Sequence, residues 1–334
     1  MIANRKLSIT PNSLVLIAIG VLLILVAGLR PIGIDRDSSN YLNYLNVNIT
    51  EVNFINMEPA FWVLNEVNKF LFGGNGQTFF LMFAIIGVTL KILAIRKLSL
   101  LPFFSIFTYM CLYFVLHEMT QIRAGVATAI FLLAIPDIYN RNLILFILKT
   151  SLAITFHYSA IFMLPVYFLS ASRLNVKAYL LLPLLGIFSI AVSFDIVEIL
   201  NSFLFLLPEF LVYRIEMYTS LLNKGDEVNI YNVYYVSLLI FYYIIIVNYR
   251  YFKSKYDVLL LKIFGLMLFS FYFLSAVPAF AFRISEFFGV VLIILIPHFV
   301  LTFKQKTIMT MPLTIWLSVY FIFIMMFQIL NIKV

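Results

Sequence analysis

The sequence predicts an all-α, polytopic integral membrane protein, and three observations carry that prediction. The 334-residue chain is 63% hydrophobic and only 11% charged, where a soluble domain is roughly 25% charged. Its mean hydropathy is +1.04. Apolar runs recur from Leu14 to Leu330, each about long enough as a helix to cross a hydrocarbon core of ~30 Å. Only helices or closed barrels satisfy the backbone in lipid, and long non-alternating runs exclude a barrel.

The first run, Leu14–Leu29, follows Arg5 and Lys6 and so imitates a secretory leader. It is longer than a leader's apolar core, and Val26-Ala27-Gly28-Leu29-Arg30 is a poor cleavage site, so a retained first span is expected. Phe79–Ile95, Leu100–Leu116, Ile122–Ile138 and Leu143–Phe156 follow as spans. Ser159–Leu169, divided from its predecessor by His157, reads as a short span, half of a broken pair or a re-entrant hairpin. Ala178–Phe194, Val233–Val247, Val258–Val277, Phe287–Leu301 and Met311–Leu330 bring the expectation to about eleven spans. Ile196–Val212, interrupted by Pro208 and Glu209, reads as a half-helix or interfacial segment. No period of 20 to 50 residues recurs, which argues against a solenoid. Residues 1–334 therefore read as one transmembrane domain, with extracytoplasmic segments over 30–78 and 196–231.

Orientation follows from lysine and arginine in the short loops. A cytoplasmic N-terminus divides these residues 14 inside to 8 outside, with Lys91 and Lys262 snorkelling inward and mid-span Lys149 unassigned. On that topology every acidic residue except Asp137 and Asp257 falls outside. Loop length accounts for many of them, but not for the acids and arginines at helix mouths. Charges are costly near lipid, so those mouths are where function is sought.

Composition removes several classes. The net charge of +8 comes from basic residues scattered singly or in pairs, which is no nucleic-acid footprint. Lone Cys111 allows no intramolecular disulfide and no thiolate metal site. No His-Glu-x-x-His occurs, no metal site is expected, and a divalent ion at Asp35-Arg36-Asp37 has little support. Gly73-Gly74-Asn75-Gly76 reads as a turn, not as a phosphate loop.

Six places could carry chemistry. The loop Arg30-Pro-Ile-Gly-Ile-Asp35-Arg36-Asp37 precedes Tyr41 and Tyr44, which suit sugar stacking; a plain solvated turn is the alternative. Glu58 precedes Pro59, so it either caps an interfacial helix or serves the site, with Trp62 close by. His117-Glu118-Met-Thr-Gln121-Ile-Arg123 is denser and opens a helix of small residues that lets a neighbour pack closely. Arg123 stands at a helix N-terminus, where anions are already favoured. His157 has a side chain suited to take a proton near neutral pH, or to serve as a hydrogen-bonded structural imidazole. Arg283 and Glu286 share a helix face, and Arg214 and Tyr218 mark another polar mouth. His298, with no polar company in sequence, reads as structural. Several guanidinium forks would suit a pyrophosphate.

In order, Arg30/Gly33/Asp35/Tyr41, Glu58/Phe61, Gln121–Ala127, Phe156–Ala160 with Pro165, and Arg283–Phe288 resemble the EpsG/Wzy-type family of bacterial polysaccharide polymerases. The likeness runs from Arg30 to about Phe288; its motifs are weak singly and specific in their order and spacing. Asp35-Arg36-Asp37 offers two aspartates for one family position, and both are carried. The resemblance implies an inner-membrane glycosyltransferase, active on the extracytoplasmic face. It would move a growing O-antigen, capsule or exopolysaccharide chain from undecaprenyl pyrophosphate to the terminal hydroxyl of an incoming lipid-linked unit. No nucleotide sugar and no other cofactor is implied; membrane lipids and a chain-length regulator protein are the further partners.

On that reading Arg123 and Arg283, with Arg36 or Arg214, bind the pyrophosphate. His157, Asp35, Asp37 or Glu118 removes the acceptor proton, and Tyr41, Glu58, Trp62, Gln121, Tyr218 and Glu286 contact the sugars. An O-antigen ligase-like enzyme would use the same lipid at the same face, although the 213–231 loop is small for one. A flippase or exporter of lipid-linked sugars is the non-enzymatic alternative. It would place charges at the bilayer midplane on broken, repeated helices, whereas these charges gather at helix ends.

Overall fold

The computed structural model describes residues 11–46, 57–192, 198, 202, 204–206, 209–220 and 228–323, and every regular element in them is helical. In order these are α1 (Pro11–Gly28), α2 (Ser38–Leu45), α3 (Pro59–Phe72), α4 (Gly76–Leu98) and α5 (Pro102–Tyr109). α5 runs without a break into a π-helical stretch, Met110–Thr120. Then come α6 (Ile122–Tyr139), α7 (Leu143–Phe156), a 3-10 turn at Tyr158–Phe162, α8 (Met163–Val166), α9 (Val176–Ala191) and α10 (Glu209–Ser220). α11 (Val233–Val247), α12 (Asp257–Phe273), α13 (Pro278–Gly289), α14 (Leu292–Val300) and α15 (Lys306–Tyr320) complete the described chain.

Among the described residues, Gly76–Leu98, the joined Pro102–Thr120, Ile122–Tyr139 and Lys306–Phe323 are each long and apolar enough to cross a membrane. α13 and α14, bent by 50°, make a fifth if they are one span. Asn12–Gly28, Leu143–Phe156, Val176–Ala191 and Val233–Val247 are apolar but shorter. Ser159–Leu169, expected as a span, is not a continuous helix. Its five 3-10 and four α residues rise roughly 16 Å, about half of a hydrocarbon core. The cause is local, because His157 adopts extended backbone (φ −156°) and stops α7. The expected break at residues 73–76 is a left-handed turn, with φ +66° at Gly73 and +77° at Gly74, a conformation cheap only for glycine.

α6 is the central helix: 83% of its apolar window is buried inside the protein, against 11% for Lys306–Phe323. Its small residues explain the position. A Cβ on Gly125 would overlap the His117 carbonyl, so only glycine admits the π-helical stretch this close. α4 and α7 pack along α6 on either side. The exposed Leu14, Leu22, Ile144, Leu148, Leu184 and Phe188 leave α1, α7 and α9 with outward apolar faces, as lipid requires.

Several charges inside this bundle are paired, while Lys262 donates to the Ser170 and Arg173 carbonyls. Lys91, expected to snorkel, is 0% exposed, and its Nζ donates to Glu118 Oε1 at 2.7 Å and to the Gly125 carbonyl at 2.8 Å. A Cβ on Gly87 would collide with the Glu118 carboxylate, so the ion pair fills the space a side chain would take. Lys149 pairs with Asp137 and donates to the Leu133 carbonyl at 3.0 Å. His298, expected to lack polar company, has two partners. Its Nδ1 lies 2.5 Å from Asp257 Oδ1, and its Nε2 accepts the Leu100 N–H at 2.8 Å. Both partners are remote in sequence, which is why its neighbours gave no sign of them.

A buried pair is destabilised most when one partner alone is removed, by about 3–5 kcal/mol, because the other is left charged and dry. Lys91→Met should therefore lower the melting temperature of the detergent-solubilised protein sharply. Lys91→Met with Glu118→Gln should recover much of the loss; a double variant no better than the single one would contradict the pairing.

Candidate functional site

Glu58 organises the polar region. Pro59 at the first position of α3 sets the helix start, and Glu58 is its N-cap with extended backbone, but its side chain makes no capping bond. The capping alternative therefore fails. The carboxylate instead reaches two remote segments: Oε2 takes Arg123 at the start of α6, and Oε1 lies 3.0 Å from His157 Nδ1. The Tyr158 N–H donates to the same Oε1 at 3.3 Å. Burial alone would raise the Glu58 pKa, but Arg123 and the His157 hydrogen bond outweigh it and hold the carboxyl well below the ordinary glutamate range.

This contact also selects a tautomer. An ionised carboxylate only accepts hydrogen bonds, so His157 Nδ1 carries the proton, and in the neutral ring Nε2 keeps the lone pair. Arg123 is held from a second side, with its guanidinium 5.6 Å above the Tyr41 ring. Its Nε is buried without a hydrogen-bond partner among the described residues.

The Arg30–Asp37 loop is pinned from below. Arg30 pairs with Asp35 at 2.9 Å, donates to the Ala27 carbonyl at 2.5 Å and also reaches the Met119 carbonyl. Asp35 Oδ1 in turn accepts the N–H groups of Asp37 (3.0 Å) and Ser38 (2.9 Å). Gly33, at φ +90°, supplies the turn. The outcome is directional: Asp35 is consumed in the frame, while Arg36 and Asp37 face a cavity. Burial, then the Asp35 carboxylate, pushes Asp37 above the ordinary aspartate range, against the pull of Arg123, Arg283 and Arg36.

That cavity has a volume of about 490 Å³. Arg36, Arg123 and Arg283 line it from the first loop, α6 and α13, together with Asp37, Tyr41 and His157. Gln121 and Glu286 also line it and meet each other at 3.0 Å. The remaining expected residues lie elsewhere. Asp35 and Glu118 are locked to Arg30 and Lys91 outside the lining. Trp62 packs on Phe61 and donates to the Met57 carbonyl at 3.2 Å. Glu58 stands behind Arg123 and His157, as their support. The side chains of Arg214 and Tyr218 lie outside the described residues.

Sequence reasoning passed over the tyrosines that share the lining: Tyr113 on the π-helical stretch, Tyr234 and Tyr235 at the start of α11, and Tyr320 at the end of α15. In sequence they look like ordinary span aromatics. The one available signal was Asn232, whose side chain caps α11 by accepting the Tyr234 N–H at 2.9 Å and which also lines the cavity. Among the described residues no group of three or more His, Cys, Asp and Glu side chains is placed to hold a metal ion.

The model of the EpsG family matches residues 13–334 of the chain. That family consists of membrane proteins of the glycosyltransferase-like, polysaccharide-polymerase type. No curated protein and no solved structure matches the chain.

Because the Glu58 pKa is lowered on folding, its ionised form stabilises the protein above the ordinary value of 4.5. That contribution is lost as pH falls through the lowered value. Wild type should thus lose thermal stability from about pH 5 downward more steeply than Glu58→Gln, which has no charge there to lose. Parallel melting curves against pH for the two proteins would contradict this assignment.

Proposed function

We propose that this chain, which belongs to the EpsG family, polymerises lipid-linked saccharide repeat units. The observation that carries the reading is the convergence of Arg36, Arg123 and Arg283, from three separate segments, with His157 on one cavity. Guanidinium groups are planar, permanently charged and matched to phosphate oxygens, and three of them from different segments suit a diphosphate better than a single phosphate.

The transfer is as follows. The donor is a growing glycan on undecaprenyl pyrophosphate. The bond between its anomeric carbon and the phosphate oxygen breaks, and the leaving pyrophosphate gains negative charge, which Arg123 and Arg283 stabilise. The terminal hydroxyl of the incoming lipid-linked unit forms the new glycosidic bond and gives its proton to His157 Nε2, while Glu58 holds the ring through Nδ1. Asp37 is the other cavity-lining acid of the original candidates for the base. His157 is preferred because its bond to Glu58 fixes the ring, with the Nε2 lone pair left to take a proton.

The topology that goes with this reading has a cytoplasmic N-terminus, about eleven membrane crossings, and the cavity open to the extracytoplasmic side of the bacterial inner membrane. It is supported by the inward bias of lysine and arginine and by the placement of all but two acidic residues outside. The undecaprenyl chain would lie in the bilayer and the glycan in the aqueous phase.

Removing a group that stabilises transition-state charge typically costs on the order of 100-fold or more in rate. Reconstituted Arg123→Ala and Arg283→Ala proteins, present at wild-type level, should lose polymer formation by at least about that factor. In cells, loss of a polymerase leaves single repeat units on the final acceptor, whereas loss of a ligase leaves none. Full-length polymer from both variants would remove the arginines from the mechanism.

A further inference from the structure

Arginines line only part of the cavity. Elsewhere its lining is Tyr113, Asn232, Tyr234, Tyr235 and Tyr320, reached by Gln121 and Glu286. Tyr234 and Tyr320 pack with ring centroids 4.3 Å apart, and Tyr234 meets Tyr235 at 5.3 Å. Tyr235 is fixed on both sides of its role: its ring stacks on Phe271, and its hydroxyl hydrogen-bonds Ser285 Oγ at 2.7 Å. Tyr113 differs. It is 2% exposed, and its hydroxyl makes no hydrogen bond of good geometry among the described residues. That hydroxyl lies beside the phenols of Tyr234 and Tyr320, and Glu286 is close enough to both of these tyrosines to interact electrostatically.

A buried phenol without a partner costs free energy unless something supplies one. A cavity that combines aromatic faces, phenol hydroxyls, two side-chain amides and one carboxylate matches a ligand with an apolar face and a rim of hydroxyls. The one cation close to this group is Arg283, one turn from Glu286, and the two charges offset each other, so this part of the cavity offers a phosphate no net positive charge. Glu286 would also oppose a second carboxylate, which disfavours an acidic ring.

We propose that Tyr113, Tyr234, Tyr320 and Asn232, with Gln121 and Glu286, form the subsite for an uncharged, hydroxyl-rich saccharide ring, the one bonded directly to the diphosphate. The inference rests on the diphosphate reading above, since it uses the arginines to place that ring. Phenol faces receive the C–H face of the ring, Glu286 accepts hydrogen bonds from its hydroxyls, and the Tyr113 hydroxyl gains its missing partner.

The test measures binding of two probes to the purified full-length protein: undecaprenyl diphosphate, and the same lipid carrying one neutral hexose. Wild type should bind the hexose-bearing lipid more tightly, and the ratio of the two affinities isolates the sugar. Tyr113→Phe, which keeps the ring and removes only the hydroxyl, should reduce that ratio roughly 5-fold, and Glu286→Gln roughly tenfold or more. Arg123→Ala and Arg283→Ala should weaken both probes alike and leave the ratio unchanged. A ratio unaltered in both Tyr113→Phe and Glu286→Gln, with wild-type melting temperatures, overturns the subsite while leaving the diphosphate reading intact. Failure of either probe to bind wild type, or arginine variants that bind both probes normally, overturns the diphosphate reading and the subsite with it.

Discussion

Glu58 places its two carboxylate oxygens on two different segments, Arg123 at the head of α6 and His157 at the break after α7. Removing this one side chain would leave the Arg123 guanidinium without its carboxylate and His157 Nδ1 without its acceptor. The segment leading into α3, the central helix and the break after α7 are thereby tied at a single point. Arg123 cannot be repositioned without disturbing the imidazole that shares its carboxylate, so the cation and the proposed base keep a set relation. Electrostatic groups prearranged in this way need not reorganise when charge develops in a reaction.

The same rule of pairing acts deeper in the protein, with different consequences. Lys91 and Glu118 satisfy one another, and the lysine also uses the Gly125 carbonyl. They are thereby spent as chemistry and act as an anchor between α4, the π-helical stretch and α6. Arg30 and Asp35 do likewise for the first loop. In both cases the buried charge closest to full mutual satisfaction lies outside the cavity, whereas the cavity retains groups with unused capacity: Arg123 Nε and the Tyr113 hydroxyl. A buried donor without a partner is rare in a folded protein. Among the described residues Asn65 Oδ1, the Tyr109 hydroxyl, His117 Nε2 and Thr150 Oγ1 are likewise buried without a hydrogen-bond partner, away from the cavity.

The π-helical stretch matters to this layout. Eleven residues, Met110–Thr120, follow the wider winding, which shifts the register of side chains relative to an α-helix. It sends Tyr113, Leu116 and Thr120 to the cavity while Glu118 points back to Lys91 and His117 is buried against α6. The dense His117–Arg123 motif looked like one functional cluster because its polar residues are close neighbours in sequence. In the folded protein it divides, with Gln121 and Arg123 at the cavity and His117 and Glu118 in the packing behind it.

Much of the architecture was legible in the sequence alone. Apolar length and the scarcity of charge settled an all-helical membrane protein, because lipid leaves the backbone few alternatives, and paired glycines marked the turn at residues 73 and 74. Arg36, Asp37, Tyr41, Gln121, Arg123, His157, Arg283 and Glu286 stood out because polar groups at helix mouths are unusual in so apolar a chain, and all of them line one cavity. What only the tertiary structure decided is which charges neutralise one another. Glu58 with Arg123, Lys91 with Glu118 and Asp257 with His298 are separated by 65, 27 and 41 positions, and no local periodicity encodes a partner at such range. The tyrosines of the cavity were hidden for a related reason. An aromatic side chain that faces lipid and one that faces a ligand look alike in sequence, and only the packing of α11 and α15 beside the π-helical stretch separates them.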